Sequence, residues 1–180
     1  GFFASCAPTD LLRADDVTYS TSTTTGYEQR AVGWDASASS LTFEWIATAT
    51  DWTTYSNAMA GYPSLVTAGV AAAEALPNTQ VWSSTDWSQH PRTALGYSGS
   101  ELILMTADGR TSQGDGFTTP ELADAMVMVG AEEAINLDGG GSTTMVIDDC
   151  WLNDTVNFPS DNGVADHEGA RAVASGLYIR

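Results

Sequence analysis

One stretch decides the fold of this chain: Ala134-Ile135-Asn136-Leu137-Asp138-Gly139-Gly140-Gly141-Ser142-Thr143-Thr144-Met145. The pattern predicts a short apolar strand followed by one carboxylate, three consecutive glycines, hydroxyl side chains and a second strand. Consecutive glycines lose much backbone entropy on folding, so they are expected where the chain needs a positive φ or a very close approach to another group. Two interpretations remain open. Either the N–H groups of Gly139, Gly140 and Gly141, with Ser142 and Thr143, cradle an anion or a sugar hydroxyl, or Asp138 only bonds its own tight corner.

The residues before this stretch predict a helix that follows a strand. Thr118-Thr119-Pro120-Glu121 fits a capping box with proline in the first turn, and apolar residues recur at helical spacing as far as Val129. Apolar residues at Val127 and Met128 extend to the other face, so the helix is expected to be buried on several sides. The continuously apolar run Leu102–Met105 predicts a strand that is covered on both faces.

Shorter patterns predict the remaining elements. The alanine-rich residues from Val70 to Leu76 indicate a turn or two of helix, and several other segments indicate strands. These are Leu41–Ile46, Gly61–Val66, Thr143–Ile147, Trp151–Leu152 and Arg171–Tyr178. Together the patterns predict an α+β fold. Residues 1–180 are expected to form a single domain with a mixed, largely antiparallel β-sheet and one well-capped buried helix.

Two carboxylates follow predicted strands and stand directly before glycine. Asp108 precedes Gly109, and Asp138 precedes Gly139, with the predicted helix between the two strands. A right-handed crossover would make these strands run in the same direction, so both carboxylates would emerge at the same edge of the sheet. Paired carboxylates are the catalytic groups of glycoside hydrolysis. The alternative is that each aspartate only caps its own turn.

The charge of the chain is strongly one-sided. Its 180 residues include 23 acidic side chains and six basic ones, all arginine, which gives a formal net charge of −17. Such a field repels nucleic acids and anionic membranes, so neither is expected as a partner, and no apolar run approaches the length of a membrane span. A lysine-free, acidic chain suggests a secreted or extracellular protein. There Cys6 and Cys150 would form a disulfide, and two free buried thiols are the alternative.

Because arginine is rare here, its positions are informative. A guanidinium binds phosphate through two parallel hydrogen bonds and stays charged at any working pH. We expect Arg92 and Arg171 to bind substrate and Arg110 to form a structural ion pair, which is also the alternative for the other two.

No cofactor is expected, and the cysteine and histidine spacing contains no zinc pattern. The carboxylates after residue 147 could bind calcium, but they lack the spacing of a recognised calcium loop, which favours a solvated acidic surface. That group comprises Asp148, Asp149, Asp154, Asp161, Asp166 and Glu168. Trp82, Trp87 and Trp151 can stack on a sugar, or can simply pack in the core or at its rim.

Several motifs occur in a fixed order along the chain. They are Gly1-Phe2-Phe3, His90-Pro91-Arg92-Thr93, Asp108-Gly109-Arg110, Gly116-Phe117-Thr118-Thr119-Pro120-Glu121, Asp138-Gly139-Gly140-Gly141-Ser142, Asn157-Phe158-Pro159-Ser160-Asp161 and Arg171-Ala172-Val173. In this order the set resembles the phosphodiester glycosidase family, most densely from Gly61 to Arg180. The resemblance implies hydrolysis of the bond between the anomeric carbon of a sugar and a phosphodiester oxygen.

Under this resemblance each candidate residue has an expected role. Asp108 or Asp138 would face the developing oxocarbenium ion, and Arg92, Arg171 and the three glycine N–H groups would bind the phosphate. Thr93, Ser142, Thr143 and Asn157 would contact the sugar or the phosphate. The substrate would be a sugar phosphodiester or another glycan.

The resemblance also raises an expectation about the start of the chain. In the family a strand precedes the motif of Gly1-Phe2-Phe3, so we expect that strand to have been cleaved or to come from a partner segment or a homo-oligomer. The alternative function is a non-catalytic structural or carbohydrate-binding subunit of an extracellular assembly.

Overall fold

The computed structural model describes residues 11–21, 29–35, 42–46, 52–72, 88–99, 101–148, 153–173 and 175–179. Within these ranges the chain forms twelve β-strands and one α-helix. The strands are β1 (Leu12–Ala14), β2 (Val17–Ser20), β3 (Gln29–Trp34), β4 (Thr42–Ile46), β5 (Asn57–Gly61), β6 (Ser64–Thr67), β7 (Val70–Ala71), β8 (Arg92–Tyr97), β9 (Leu102–Ala107), β10 (Glu133–Asn136), β11 (Val146–Asp148) and β12 (Asn153–Thr155). The helix α1 spans Thr119–Met128, and no helix of the described ranges is long and apolar enough to cross a membrane.

The strands divide into two five-stranded sheets and a separate hairpin. The first sheet has the order β2-β1-β5-β3-β4 and the second has the order β7-β6-β10-β8-β9, while β11 pairs with β12. Every pairing between the described strands is antiparallel. The predicted α+β fold with a largely antiparallel sheet and a capped helix is therefore confirmed, with two sheets in place of the single one expected.

The first sheet, the second sheet and α1 form three layers, and side chains that alternate along the strands fill the space between them. Val32 of β3, Leu95 of β8 and Ile135 of β10 form a buried cluster between the two sheets. The opposite face of the second sheet packs on α1, where Ala94 joins a cluster with Leu122 and Met126 of the helix. Because successive side chains of a strand point to opposite faces, β8 serves both layers at once.

The helix begins as predicted and is buried less completely than predicted. Thr118 Oγ1 accepts from the N–H of Glu121 at 3.3 Å, and the Glu121 carboxylate accepts from the N–H of Thr118 at 2.8 Å, which completes the capping box. Leu122 and Met126 are fully buried, whereas Met128 is 86% exposed. The expectation of burial on several sides was wrong, because only one layer of strands lies against the helix.

Two other local predictions can be compared with the structure. The strand expected to be covered on both faces is β9, and that expectation was wrong. Strand β9 lies at the edge of the sheet, and Leu102 and Leu104, on the face opposite α1, are exposed there. Within the alanine-rich segment, Val70–Ala71 forms the strand β7, and residues 73–76, where a helical turn was also predicted, lie outside the described residues.

The chain near its C-terminus also differs from the prediction. Residues 171–173 and 175–179 form no strand; they pass beside the two sheets, and Leu177 packs against the buried cluster of Val32. The predicted strand at Thr143–Ile147 begins only at Val146. Cys6, Cys150, Trp82, Trp87 and Trp151 lie outside the described residues.

A buried ion pair joins the two sheets. Arg30 of β3 is 6% exposed, and its Nη1 lies 2.5 Å from Glu133 Oε2 of β10 and 2.9 Å from Thr67 Oγ1. The other carboxylate oxygen of Glu133 accepts from the N–H of Ala68 at 3.1 Å. The pair therefore links the first sheet to two neighbouring segments of the second.

Glu133→Gln is expected to lower the free energy of unfolding by about 2 kcal/mol. Removal of one partner leaves the Arg30 charge buried, which costs ~3–5 kcal/mol for a fully buried pair, and the 27% exposure of the Glu133 side chain reduces that figure. Urea unfolding measures the change. Glu132→Gln, the same substitution at the exposed neighbouring residue, should change it by less than about 0.5 kcal/mol. Equal effects of the two variants would contradict the prediction.

Candidate functional site

The two predicted carboxylates lie at the same edge of the second sheet. Strands β9 and β10 both pair antiparallel with β8, which lies between them, so β9 and β10 run in the same direction. Asp108 directly follows β9, and Asp138 lies two residues after β10. The convergence expected from the crossover is present, although the two strands are separated by β8.

The glycine turn packs backbone against backbone. A Cβ atom on Gly139 would lie 2.7 Å from the carbonyl oxygen of Pro91, and the N–H of Gly140 donates to that same oxygen at 2.8 Å. Gly140 also has a φ of +62°, a backbone conformation that glycine adopts more readily than other residues. The N–H of Gly139 donates to Asp138 Oδ1 at 3.0 Å. Two N–H groups of the predicted anion cradle thus already donate within the protein, and Asp138 does bond its own turn.

Two guanidinium groups lie directly on the remaining side of this turn. A Cβ atom on Gly140 would be 2.8 Å from Arg110 Nη1. A Cβ atom on Gly141 would be 2.5 Å from both Arg171 Nη2 and Asp161 Oδ1. The glycines are therefore needed here for the approach of charged side chains. Positive charge at the turn comes from arginine side chains in addition to any backbone N–H.

The carboxylate of Asp161 holds the Arg171 guanidinium beside the glycine turn. Its Nη2 and Nε donate to Asp161 Oδ1 at 2.5 and 3.0 Å. This hydrogen bonding, together with the charges of Arg171 and Arg110, lowers the pKa of Asp161. The pKa of Arg171 is raised, first by its hydrogen bond to Asp161 and then by the charges of Asp161 and Asp138. Asp138, Asp161, Arg110 and Arg171 thus form one interacting group, called the charged cluster below.

Arg110 reaches the charged cluster from a tight hairpin. Its own φ is +55°, and its N–H donates to the carbonyl oxygen of Asp115 at 3.3 Å. The guanidinium donates to His90 Nδ1, with Nε 3.2 Å and Nη2 3.1 Å away. We expected a structural ion pair at this position, and that interpretation was wrong because the hairpin aims the side chain at His90 and Gly140.

Asp108 is held in place by the segment that follows β12. Its Oδ1 accepts from Asn157 Nδ2 at 3.1 Å and from the N–H of Phe158 at 2.9 Å. Asn157 is 5% exposed; its Nδ2 also donates to the carbonyl oxygen of Thr143 at 3.1 Å, and its Oδ1 accepts from the N–H of Met145 at 2.8 Å. Asn157 was predicted to contact the substrate. In the structure its amide instead links Asp108 to the backbone of Thr143 and Met145, which follow the glycine turn.

Asn157→Ala is expected to lower the free energy of unfolding by about 2–3 kcal/mol, because it leaves the N–H of Met145 and the carbonyl of Thr143 without their buried partner. Chemical denaturation measures this loss. The exposed Asn162→Ala removes two surface hydrogen bonds, one to Asp166 and one from the N–H of Val164, and should cost less than about 1 kcal/mol. A smaller effect at Asn157 than at Asn162 would show that the bracing contributes little.

Arg92 is tied to the protein backbone. It is 8% exposed, and its Nε and Nη2 donate to the carbonyl oxygens of Phe117 at 3.0 Å and Ser88 at 2.8 Å. These bonds hold the segment before β8 against the start of the α1 capping region. The arginines whose guanidinium groups lie on the glycine turn are Arg110 and Arg171. Substrate binding by Arg92 stays a prediction.

Thr93 points the other way, into a cavity of about 280 Å³ between the two sheets. Its Oγ1 lies 3.3 Å from Thr143 Oγ1. Polar and apolar residues both line the cavity. The polar residues are Thr93, Thr106, Asp138, Ser142, Thr144 and Ser175, and the apolar residues include Leu11, Met59, Leu104, Leu137, Val146, Val173 and Leu177. Asp138 thus belongs both to the cavity and to the charged cluster.

Sequence reasoning missed Arg110, Asp161 and His90 as members of the site. All three belong to motifs on which the family resemblance rests, and their position in those motifs is what could have identified them. No three metal-ligating side chains come together within the described ranges. Of the acidic residues considered for calcium, Asp161 is paired with Arg171, and Asp166 accepts from Asn162 and from the N–H of Glu168.

The chain is similar to known proteins in sequence and in fold. The family model described as phosphodiester glycosidase matches residues 8–180. The human N-acetylglucosamine-1-phosphodiester alpha-N-acetylglucosaminidase is 43% identical over 63 residues, which are 34% of this chain and 11% of the human protein. The structure of the catalytic domain of the zebrafish enzyme of that name, auto-inhibited by its pro-peptide, matches with a TM-score of 0.63 and 23% identity. That match covers 84% of this chain and 50% of the zebrafish chain, and at this identity it shows the fold alone.

Proposed function

This chain belongs to the phosphodiester glycosidase family, and we propose that it hydrolyses a sugar-1-phosphodiester between the anomeric carbon and the phosphate oxygen. One observation supports this most directly. Asp138 lines the cavity and precedes the glycines on which the guanidinium groups of Arg110 and Arg171 lie, and its charge also acts on Arg171. A carboxylate in that position suits a substrate with a phosphate on one side of the reacting carbon and a sugar ring on the other.

The phosphate is proposed to bind at Arg110 and Arg171. Both guanidinium groups lie on the glycine turn, and each keeps N–H groups at Nη1 that can donate to phosphate oxygens beside the bonds to Asp161 and His90. The sugar is proposed to enter the cavity, where Thr93, Ser142 and Thr144 offer hydroxyl contacts. At about 280 Å³ the cavity is slightly below the ~300–1,000 Å³ of sites for drug-sized ligands, which suits a single sugar ring.

The proposed chemistry uses these side chains and water. The bond between the anomeric carbon and oxygen breaks, and its electron pair leaves with the phosphate oxygen, stabilised by Arg110 and Arg171. The negative charge of Asp138 stabilises the oxocarbenium ion that develops at the carbon. A phosphate leaving group is a weak base, so little general-acid assistance is required.

Asp108 is proposed to complete the reaction. It follows β9 at the same sheet edge as Asp138, and Asn157 and the N–H of Phe158 fix one of its oxygens. Water adds its hydroxyl group to the anomeric carbon, and Asp108 accepts the proton that the water loses. The products are a free sugar and a phosphomonoester.

The human relative is named for N-acetylglucosamine-1-phosphodiesters, so we propose an N-acetylglucosamine ester as the first substrate to examine. We also propose a secreted or extracellular location and a disulfide between Cys6 and Cys150. The acidic, lysine-free composition supports the location, and both cysteines lie outside the described residues.

The test is incubation with a panel of α-linked sugar-1-phosphate esters that vary in sugar and in aglycone. We expect release of free sugar and phosphomonoester from at least one member, measured by chromatography and mass spectrometry. An Asp138→Asn preparation made in parallel controls for contaminating hydrolases. Absence of free sugar from every member of the panel would refute the proposal for this chain.

A further inference from the structure

A carboxylate lies at the place where the proposed function puts a phosphate. Asp161 Oδ1 accepts from two nitrogens of Arg171 and would lie 2.5 Å from a Cβ atom on Gly141. Arg110 lies on the adjacent Gly140, close enough that its charge also acts on Asp161. An anion that binds the two arginines must therefore approach an existing negative charge.

Substrate and product of the proposed reaction differ in charge. A phosphodiester carries one negative charge, whereas a phosphomonoester carries about 1.5 to 2 negative charges near pH 7. Coulomb repulsion by a fixed carboxylate is proportional to the charge of the ligand. Asp161 consequently repels the product about twice as strongly as it repels the substrate.

We infer that Asp161 is a specificity-determining residue that makes the arginine site discriminate a phosphodiester from a phosphomonoester, and so favours release of the product. The inference rests on the proposed function, because the monoester is the product of that reaction. It assigns Asp161 a role beyond that of an anchor for Arg171.

Asp161 is expected to affect ligand binding more by repelling the ligand than by holding Arg171 in position. The side chains of Arg171 and Asp161 are 46% and 42% exposed, and ion pairs of such exposure stabilise a fixed geometry only weakly. Repulsion between Asp161 and a ligand at the same arginines acts over a few ångströms, well within the ~10 Å Debye length at 0.1 M salt, so salt does not abolish it.

The experiment compares two small ligands that lack a sugar. Phenyl phosphate represents the monoester, and methyl phenyl phosphate represents the diester. Their Kd values are measured by NMR titration at pH 7.5 and low salt for the native chain and for Asp161→Asn. We expect Asp161→Asn to bind the diester about 3-fold and the monoester about 10-fold more tightly, since doubling the ligand charge squares the Coulomb factor.

Control variants isolate the position of the charge. Asp124→Asn makes the same change in net charge on the exposed side of α1 and should alter either Kd by less than about 2-fold. Arg171→Met should weaken both ligands, which confirms that they bind at the arginines. Asp161→Ser serves as a second variant if Asp161→Asn fails to fold, and it should show the same difference between ligands.

The outcomes separate this inference from the proposed function. Equal tightening of both ligands, no change, or weaker binding of both by Asp161→Asn would overturn the inference, the last result indicating that Asp161 only anchors Arg171. Sugar release from a diester together with any of these results would leave the proposed function standing. The expected difference in Kd without sugar release from any diester would support charge discrimination at the site and reject the hydrolysis.

Discussion

Asp138→Asn is expected to lower kcat roughly 10²–10³-fold, the range for loss of one group that stabilises charge in a transition state. The variant keeps the shape of the side chain, and its amide oxygen can still accept from the N–H of Gly139, as Asp138 Oδ1 does at 3.0 Å. What it removes is the negative charge at the cavity, next to the glycines that the two arginines contact. Because Asp138 is exposed, the free energy of unfolding should change by less than about 0.5 kcal/mol.

Steady-state kinetics on the ester that the native chain cleaves, together with urea unfolding, measure both parts of this prediction. Asp124→Asn on the helix is the matched control and should retain native kinetics. If Asp138→Asn kept a kcat within a few-fold of the native value, the reacting carbon could not lie beside Asp138. A large loss of stability would instead make Asp138 a structural residue of the glycine turn.

Gly141→Ala is expected to lower kcat/KM about 100-fold, because a misplacement of about 1 Å in a binding group has effects of that size. The new methyl group would lie 2.5 Å from both Arg171 Nη2 and Asp161 Oδ1, so the ion pair must move off the turn. The pair is about half exposed, and the fold should therefore tolerate the change. Arg171→Lys should also lower kcat/KM, since an ammonium group cannot reproduce the planar fork.

The control for this substitution is Gly114→Ala. A Cβ atom there meets nothing within 4 Å, and the φ of Gly114 is not positive, so its kinetics and stability should remain native. Native kcat/KM in Gly141→Ala would place the phosphate away from Arg171. A crystal structure of the variant would show whether the ion pair had moved.

The helix and the glycine turn could be predicted because their signals are local. The capping box of Thr118 and Glu121 lies within one turn of chain, and the structure contains both of its hydrogen bonds. The direction of β9 and β10 followed from the helix between them, since a crossover leaves few alternatives. The burial of β9 could not be predicted, because an apolar run has the same composition at the edge of a sheet as at its centre.

The surroundings of the arginines could not be predicted from the sequence. Arg92 and Arg110 stand in comparable motifs, and the sequence favoured Arg92 for the site. In the structure Arg92 donates to backbone carbonyls of Phe117 and Ser88, while a hairpin places Arg110 on Gly140. Whether a guanidinium reaches the turn depends on residues about 30 positions away in sequence, and no spacing rule encodes that distance.

The sequence by itself therefore determined the family resemblance, the fold class, the capped helix and the edge of the sheet where Asp108 and Asp138 emerge. These features depend on local periodicity, on caps and on the handedness of a crossover. Only the tertiary structure decided that Arg110 and Arg171 meet on the glycines, that Asp161 joins them, and that Asn157 braces Asp108. The physical reason is that these contacts join segments brought together by the packing of two sheets, and a charged side chain takes its role from the groups that packing places within a few ångströms of it.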